Sequence, residues 1–495
     1  MGRIIRNTIS YGFVTLILAA LGFCIYLFLD DLDGPEVTMT PDTGRISPTQ
    51  EITLKLADAK SGVRSVIVTI HRNNQSLVIL DKVFSEPAPV QTTSFNLKNA
   101  GLRDGAFELE ITARDNSLMS FGKGNGTTRK WNMQLDTQPP KVRIKTTVPA
   151  LRRGSVTAIA YSVSEDASMT GVQLGEQFFP AFLQPNGLYY CFFPFPLDTP
   201  KGKFTPELLT RDLAGNESRN RVLVNAGERN FRKDTLNISD NFLNSKEDVF
   251  KELVPDDISN LERYVRINNE VRISNEKTLL EIGKNTSPTM LWSGAFKRLP
   301  GSASKASFGD QRTYMHNGTK IDEQTHMGQD LASVAHAPIP AANDGKVVFA
   351  EPLGIFGNLV IIDHGLGLQS LYSHMSEIQT NVGATVKKGD IIGLTGTTGL
   401  AGGDHLHFGI LMHGIQVQPL DWLDPKWIKN TLLIGLMPPG PNVKGLGLKE
   451  MGKENFSGEK FSFPKPVYAP QSSLSPNVCL PKSVHSFFWH GLPLL

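Results

Sequence analysis

Apolar positions recur along this chain with different periods, and the changes of period mark its parts. Thr8–Leu29 is an uncharged apolar run of 22 residues, long enough to cross a bilayer as a helix. From Pro35 onward the runs shorten. Val66-Ile67-Val68-Thr69-Ile70 and Phe107-Glu108-Leu109-Glu110-Ile111 are strand-like, with turns at Asp104-Gly105 and Gly124-Asn125-Gly126; that pattern predicts β-strands. Over 238–285 the period lengthens. Ser245-Lys246-Glu247-Asp248 has the form of a capping box, Pro255 stops that helix, and Ile258, Leu261 and Val265 form a stripe. A short helical hairpin is expected, since too few heptads support a coiled coil. Strands return over 300–430. Beyond that, Pro438-Pro439-Gly440-Pro441 opens a tail, 431–495, rich in Gly, Pro and Ser, the composition of poorly ordered chain.

At 495 residues the chain exceeds one ordinary core. The β region before the helices divides into two modules, 35–137 and 138–227, that share landmarks. Pro35-Glu36-Val37 parallels Pro140-Lys141-Val142 near each start, and Thr112-Ala113-Arg114-Asp115 parallels Leu209-Thr210-Arg211-Asp212 near each end. A repeat of ~100 residues with many short strands is the size of an immunoglobulin-like sandwich. Both modules resemble bacterial Ig-like modules, which implies a spacing or docking role toward an envelope protein. The expected fold is mainly β: two Ig-like sandwiches, a helical linker and a C-terminal antiparallel β-sandwich.

Charge and cysteine content narrow the class. The formal net charge is +2 and no long basic run occurs, so nucleic acid is not an expected partner. Arg3 and Arg6 precede the apolar run and Asp30, Asp31 and Asp33 follow it. The positive end stays cytoplasmic, which leaves 1–7 inside, 8–29 as a transmembrane anchor and the rest exported. The alternative is a cleaved signal peptide, but Phe28-Leu29-Asp30-Asp31 lacks the small residues of a cleavage site. Cys24 lies in the anchor, and Cys191 and Cys479 are far apart, so no disulfide framework is implied. Cys191 reads as a buried core thiol.

Histidine carries the chemistry. Of 11 histidines, 8 lie between His316 and His413. His326-Met327-Gly328-Gln329-Asp330 and His405-Leu406-His407 together offer imidazole and carboxylate, which are zinc ligands. Two imidazoles and one carboxylate leave a fourth position for water, which the metal would acidify for hydrolysis. Residues two apart on a strand share a face, so His405 and His407 are expected to look into one space while Leu406, Phe408 and Ile410 face a core.

His-x-x-x-Asp followed by His-x-His, with Tyr372-Ser373-His374, Val386-Lys387-Lys388-Gly389-Asp390 and the glycine series Gly393, Gly396 and Gly399 between them, resembles the lysostaphin-type (LytM-like, M23) zinc metallopeptidases over about 300–430. The resemblance implies one Zn²⁺ held by His326, Asp330 and His407. It implies that His405 activates the water, and that His374 stabilises the oxyanion or protonates the leaving amine. The implied substrate is the peptide cross-link of peptidoglycan. With the anchor, this places the chain in the bacterial inner membrane, its bulk in the periplasm. A LytM-like regulator of another wall hydrolase is the alternative, although such proteins usually lack a ligand.

Other residues have plainer readings. His336, His364 and His413 are read as core or surface groups, with His364 in a turn near the site, and His316 is not assigned. The glycines at 393–403 lack the Gly-Lys-Ser/Thr ending of a phosphate loop, and no lysine between Lys346 and Lys387 could carry a biotinyl or lipoyl group.

Overall fold

A computed structural model describes residues 15–22, 31–42, 44–117, 119–146, 150–433 and 436. Of the apolar run Thr8–Leu29 only 15–22 is described, as exposed helix. No helix among the described residues is long and apolar enough to cross a membrane. The expected anchor as a whole, and nearly all of the expected tail, lie outside the described residues.

The first module packs a three-stranded sheet, in the order Glu36–Thr40, Ile52–Ala57, Val90–Phe95, on a five-stranded sheet. The order of the second is Arg45–Ile46, Gly126–Leu135, Gly105–Asp115, Val63–Arg72, Gln75–Ala88. Strand period two explains the core: Ile52, Leu54 and Leu56 meet Val66, Val68, Ile70, Leu109 and Ile111, all of them buried.

In the second module two four-stranded sheets face each other. One contains Val156–Val163 and Tyr189–Pro194, the other Ala167–Leu174 and Glu207–Asp212. Val156–Val163 is buried on both faces. Ile159 and Tyr161 enter the module's own core, with the free thiol of Cys191. Val156, Ala158, Ala160 and Phe192 enter a different core, with Trp292, Phe296, Trp422 and Phe408. A strand covered on both sides reads as a continuous apolar run. The second module and the C-terminal domain, expected at 300–430, thus share a core that takes in Trp292 and Phe296 ahead of residue 300. The C-terminal domain's core begins at Trp292 and closes on the second module. A half-buried polar contact joins them too: Ser155 Oγ bonds Asp421 Oδ2, which also pairs with Arg229 at 3.3 Å.

The helices Asp240–Ser245, Glu247–Leu253, Asn260–Arg266 and Arg272–Gly283 form the linker. The capping box is not at Ser245. Ser239 caps the first helix, Ser245 Oγ donates back to Phe242 O, and the reciprocal box is Ser259 with Glu262. Ser245 ends one helix directly against the next, so it has no free turn to cap. Strand Lys233–Asn237, just before these helices, pairs in parallel with Gln311–His316.

The C-terminal domain is built on one large antiparallel sheet. Its central order is Ala303–Ala306, Gln329–Ala332, Leu406–Met412, Leu368–Met375, Asn358–Gly365, Gly345–Pro352. A three-stranded sheet of Pro338–Pro340, Ile391–Leu394 and Glu377–Ile378 lies beside it.

Candidate metal centre

Sheet register assembles the site. Asp330 lies opposite His407, and His407 opposite Ser373, so the first two share a face. His326 precedes that strand and is pinned by its backbone: His326 N donates to Asp310 O, and Gly309 N donates to His326 O. His405 stands one residue ahead of strand Leu406–Met412, in an isolated bridge to Gly396.

His374 arrives by a different route. Simple alternation would send the residue after Ser373 to the opposite face. Here the pairing shifts, with Asn358 opposite Met375 and Val360 opposite Tyr372. This leaves an extra residue in the strand, and His374 takes a left-handed φ of 63°. Such a bulge re-aims a side chain, and a non-glycine residue there costs about 1–3 kcal/mol, a strain typical of functional sites. The ring of His374 comes 4.9 Å from that of His405.

Three ligand-type atoms converge. His326 Nε2 is 3.0 Å from Asp330 Oδ1, His407 Nδ1 is 2.9 Å from the same oxygen, and the two nitrogens are 3.1 Å apart. His405 Nε2 is 3.5 Å from Asp330 Oδ1.

Backbone carbonyls set the tautomers. A carbonyl oxygen only accepts, so a ring nitrogen facing one carries the proton. His326 Nδ1 donates to Ser307 O, His374 Nδ1 to Thr398 O, and His405 Nδ1 to Gly403 O. In the neutral rings the Nε2 atoms are then bare lone pairs, two of them, on His326 and His405, turned toward a carboxylate. A cation relieves that crowding, and imidazole–carbonyl bonds of this kind are the usual support of metal-bound histidine. Ligand atoms about 3.3 Å apart are what a tetrahedral metal with ~2.0 Å bonds requires, close to the separations found. The residues therefore fit a metal.

Burial adjusts the charges in the same direction. It lowers His407 to about 4 and, with the neighbouring histidines, lowers His374 well below the usual imidazole range. Both are neutral bases at pH 7, the form that accepts a metal or a proton. Burial pushes the Asp330 carboxyl up, but the surrounding imidazoles of His326, His405 and His407, in their protonated forms, outweigh burial and hold the group well below its ordinary value. Burial lowers His405, and its bond to Asp330 overcomes that and raises it.

Residues that the sequence did not single out complete the site. Arg312 Nη2 donates to Asp330 Oδ2 at 3.2 Å. Gly328 has to be glycine, because a Cβ there would lie 2.3 Å from His407 Nε2. Phe242, Tyr264 and Arg272 of the helical linker line the cavity that holds the histidines, with Leu236–Ile238 ahead of them. Lys246 Nζ reaches Thr397 O at 2.6 Å and Gly399 O at 3.2 Å, tying the linker to the glycine loop. Nothing in local sequence marks these residues, which lie 18 to 153 positions from their partners.

One reading changes. His364 is not in a turn near the site: its ring is fully buried at the end of a strand, bonded to Asp344 O and Ser370 Oγ. His316, left unassigned, bonds Ile238 O.

Residues 324–419 match the family model for Peptidase family M23. The DD-carboxypeptidase/endopeptidase Mpg of Neisseria meningitidis is 37% identical over 95 residues, which are 19% of this chain and 22% of that protein. Peptidoglycan DD-endopeptidase ShyA of Vibrio cholerae is 36% identical over 95 residues, with the same coverage of 19% and 22%. Murein hydrolase activator EnvC of Escherichia coli is 36% identical over 96 residues, 19% of this chain and 23% of that protein. The similarity thus spans under a quarter of each relative's length. The segment 324–419 that matches the family model carries His326, Asp330, His374, His405 and His407, and it is a Peptidase family M23 domain.

Proposed function

We propose that this chain is a zinc-dependent endopeptidase that hydrolyses peptide cross-links of peptidoglycan, tethered to the inner membrane by Thr8–Leu29 with its bulk in the periplasm. The observation that carries the chemistry is the convergence of His326 Nε2, Asp330 Oδ1 and His407 Nδ1 within 3.1 Å of one another. That donor set is a zinc set, open on one side. Zinc held there would supply Lewis acidity and an acidified water.

The remaining steps belong to the protein. His405, beside Asp330 and with its Nδ1 fixed on Gly403 O, receives the proton of the attacking water. His374 enters the cycle neutral with Nε2 bare, so it accepts a proton or orients water before it can donate to the leaving amine. Arg312 holds Asp330 from the far side. The substrate class rests on the names of the relatives. The similarity to EnvC supports a second reading, a regulator that activates another hydrolase, but the complete ligand set favours the enzyme.

Full-length protein digesting cross-linked muropeptides, followed by mass analysis, tests the proposal. Cleavage of cross-links is expected, with His405→Ala and His374→Ala each slower by roughly a hundredfold or more, the scale of a lost acid–base group. Unchanged cross-links, alongside activation of a second hydrolase, would favour the regulator.

A further inference from the structure

Three carboxylates meet inside the first Ig-like module, far in sequence from the histidines. One oxygen each from Asp31, Asp58 and Asp115 lies within 4.8 Å of the other two. Their relative exposures are 9%, 9% and 0%. Burying three acids together is costly unless something positive joins them, and no basic side chain among the described residues pairs with them.

Two of the three are held in place by their own loops. Asp58 Oδ1 accepts from the backbone of Lys60, Ser61 and Gly62. Asp115 Oδ1 accepts from Ser117 and from Asn125 N, and its Oδ2 from Asn125 Nδ2. Asp31 differs. Both of its carboxylate oxygens are buried and neither has a hydrogen-bond partner. Its backbone is fixed, because Asn125 Nδ2 donates to Asp31 O at 2.9 Å. A buried carboxylate aimed into an acidic cluster with neither oxygen hydrogen-bonded can offer both to a cation.

The second module repeats the arrangement. Asp136, Glu165 and Asp212 also place one oxygen each within 4.8 Å of one another. Asn216 Nδ2 donates to Asp136 O and Asp212 Oδ2, and Asn216 N to Asp212 Oδ1. Bond for bond, this is what Asn125 does with Asp31 and Asp115. The Arg-Asp that ends Thr112–Asp115 and Leu209–Asp212 thus places an acid at the same point of each module.

We propose that the first module binds a divalent cation of the calcium class between Asp31, Asp58 and Asp115. The ion fastens the segment leading into the module to two of its loops; Asp136, Glu165 and Asp212 form a more exposed version where the second module begins. All the donors are oxygen, which suits a hard cation and not zinc. They come from three separate segments and are buried, which leaves little room for the waters that magnesium retains.

The test is calcium binding by the full-length chain, stripped on a chelating resin and reloaded with zinc, compared with Asp31→Asn. The Asp31 side chain makes no hydrogen bond, so this change removes ligand charge and breaks no bond of the fold. Equilibrium dialysis with radioactive calcium is expected to find one site fewer in Asp31→Asn, at unchanged far-ultraviolet circular dichroism. Millimolar calcium is expected to raise the wild-type melting temperature more than equal magnesium does, a measurement that needs no variant. Equal stoichiometry in the two proteins, or no calcium binding and no thermal shift in the wild type, would overturn the proposal.

Discussion

Phe192 offers a way to break the C-terminal domain from outside it. It stands in strand Tyr189–Pro194 of the second module, yet its side chain, 2% exposed, belongs to the core of Trp292, Phe296 and Trp422. Those three rings pack edge to face or tilted, with centroids 5.5–5.8 Å apart. Phe192→Ala removes a buried ring from a site walled by a rigid sheet and a tryptophan cluster, so collapse is limited. The cost of such a truncation is about 3–5 kcal/mol. In a cooperative unit of this size each kcal/mol lowers the melting temperature by roughly 2 °C, giving a fall of about 6–10 °C. Tryptophan fluorescence reports the C-terminal core directly, through the buried Trp292 and Trp422. Thermal melts of full-length wild type and Phe192→Ala, followed by fluorescence and calorimetry, should show the tryptophan transition move by that amount. Movement of a separate second-module transition, with the tryptophan transition in place, would refute the shared core.

Two further outcomes follow from the polar interior. Arg312→Gln removes the bond that holds Asp330 from behind, and metal affinity measured by chelator competition should fall by roughly 10–100-fold while the fold is kept; unchanged affinity would make Arg312 a bystander. His364 and His413 are buried, and burial depresses both to about 4 from 6.5. The unfolded chain therefore binds more protons between pH 6.5 and 4. The stability these two groups leave intact above pH 6.5 is lost as pH falls toward 4, up to about 3 kcal/mol each. His413 has φ 51°, which asparagine tolerates. Urea midpoints of His413→Asn should thus fall less between pH 7 and 4 than those of the wild type, and parallel curves would refute the assignment.

What was legible in the sequence was whatever period and spacing record. The strands around Val66 and Phe107, and the common face of His405 and His407, follow from period two, and the ligand pattern follows from residue type. Three things were not legible. The Val156–Val163 run could not reveal that its two faces serve two cores, because a strand buried on both sides loses its alternation. Asp31, Asp58 and Asp115 are lone acids in three distant segments until folding buries them together. His374 reaches the site only through a bulge and a positive φ, neither of which the pair Ser373-His374 encodes locally.

Metal content tests the central claim most directly. Full-length wild type and Asp330→Ala, purified alike and equilibrated with limiting zinc, are to be compared by elemental analysis, with folding checked by circular dichroism. Zinc near one atom per chain in the wild type and sharply less in Asp330→Ala is the expected result, since one of three ligands is gone. Equal zinc in two equally folded proteins would contradict the assignment of His326, Asp330 and His407, and with it the catalytic reading.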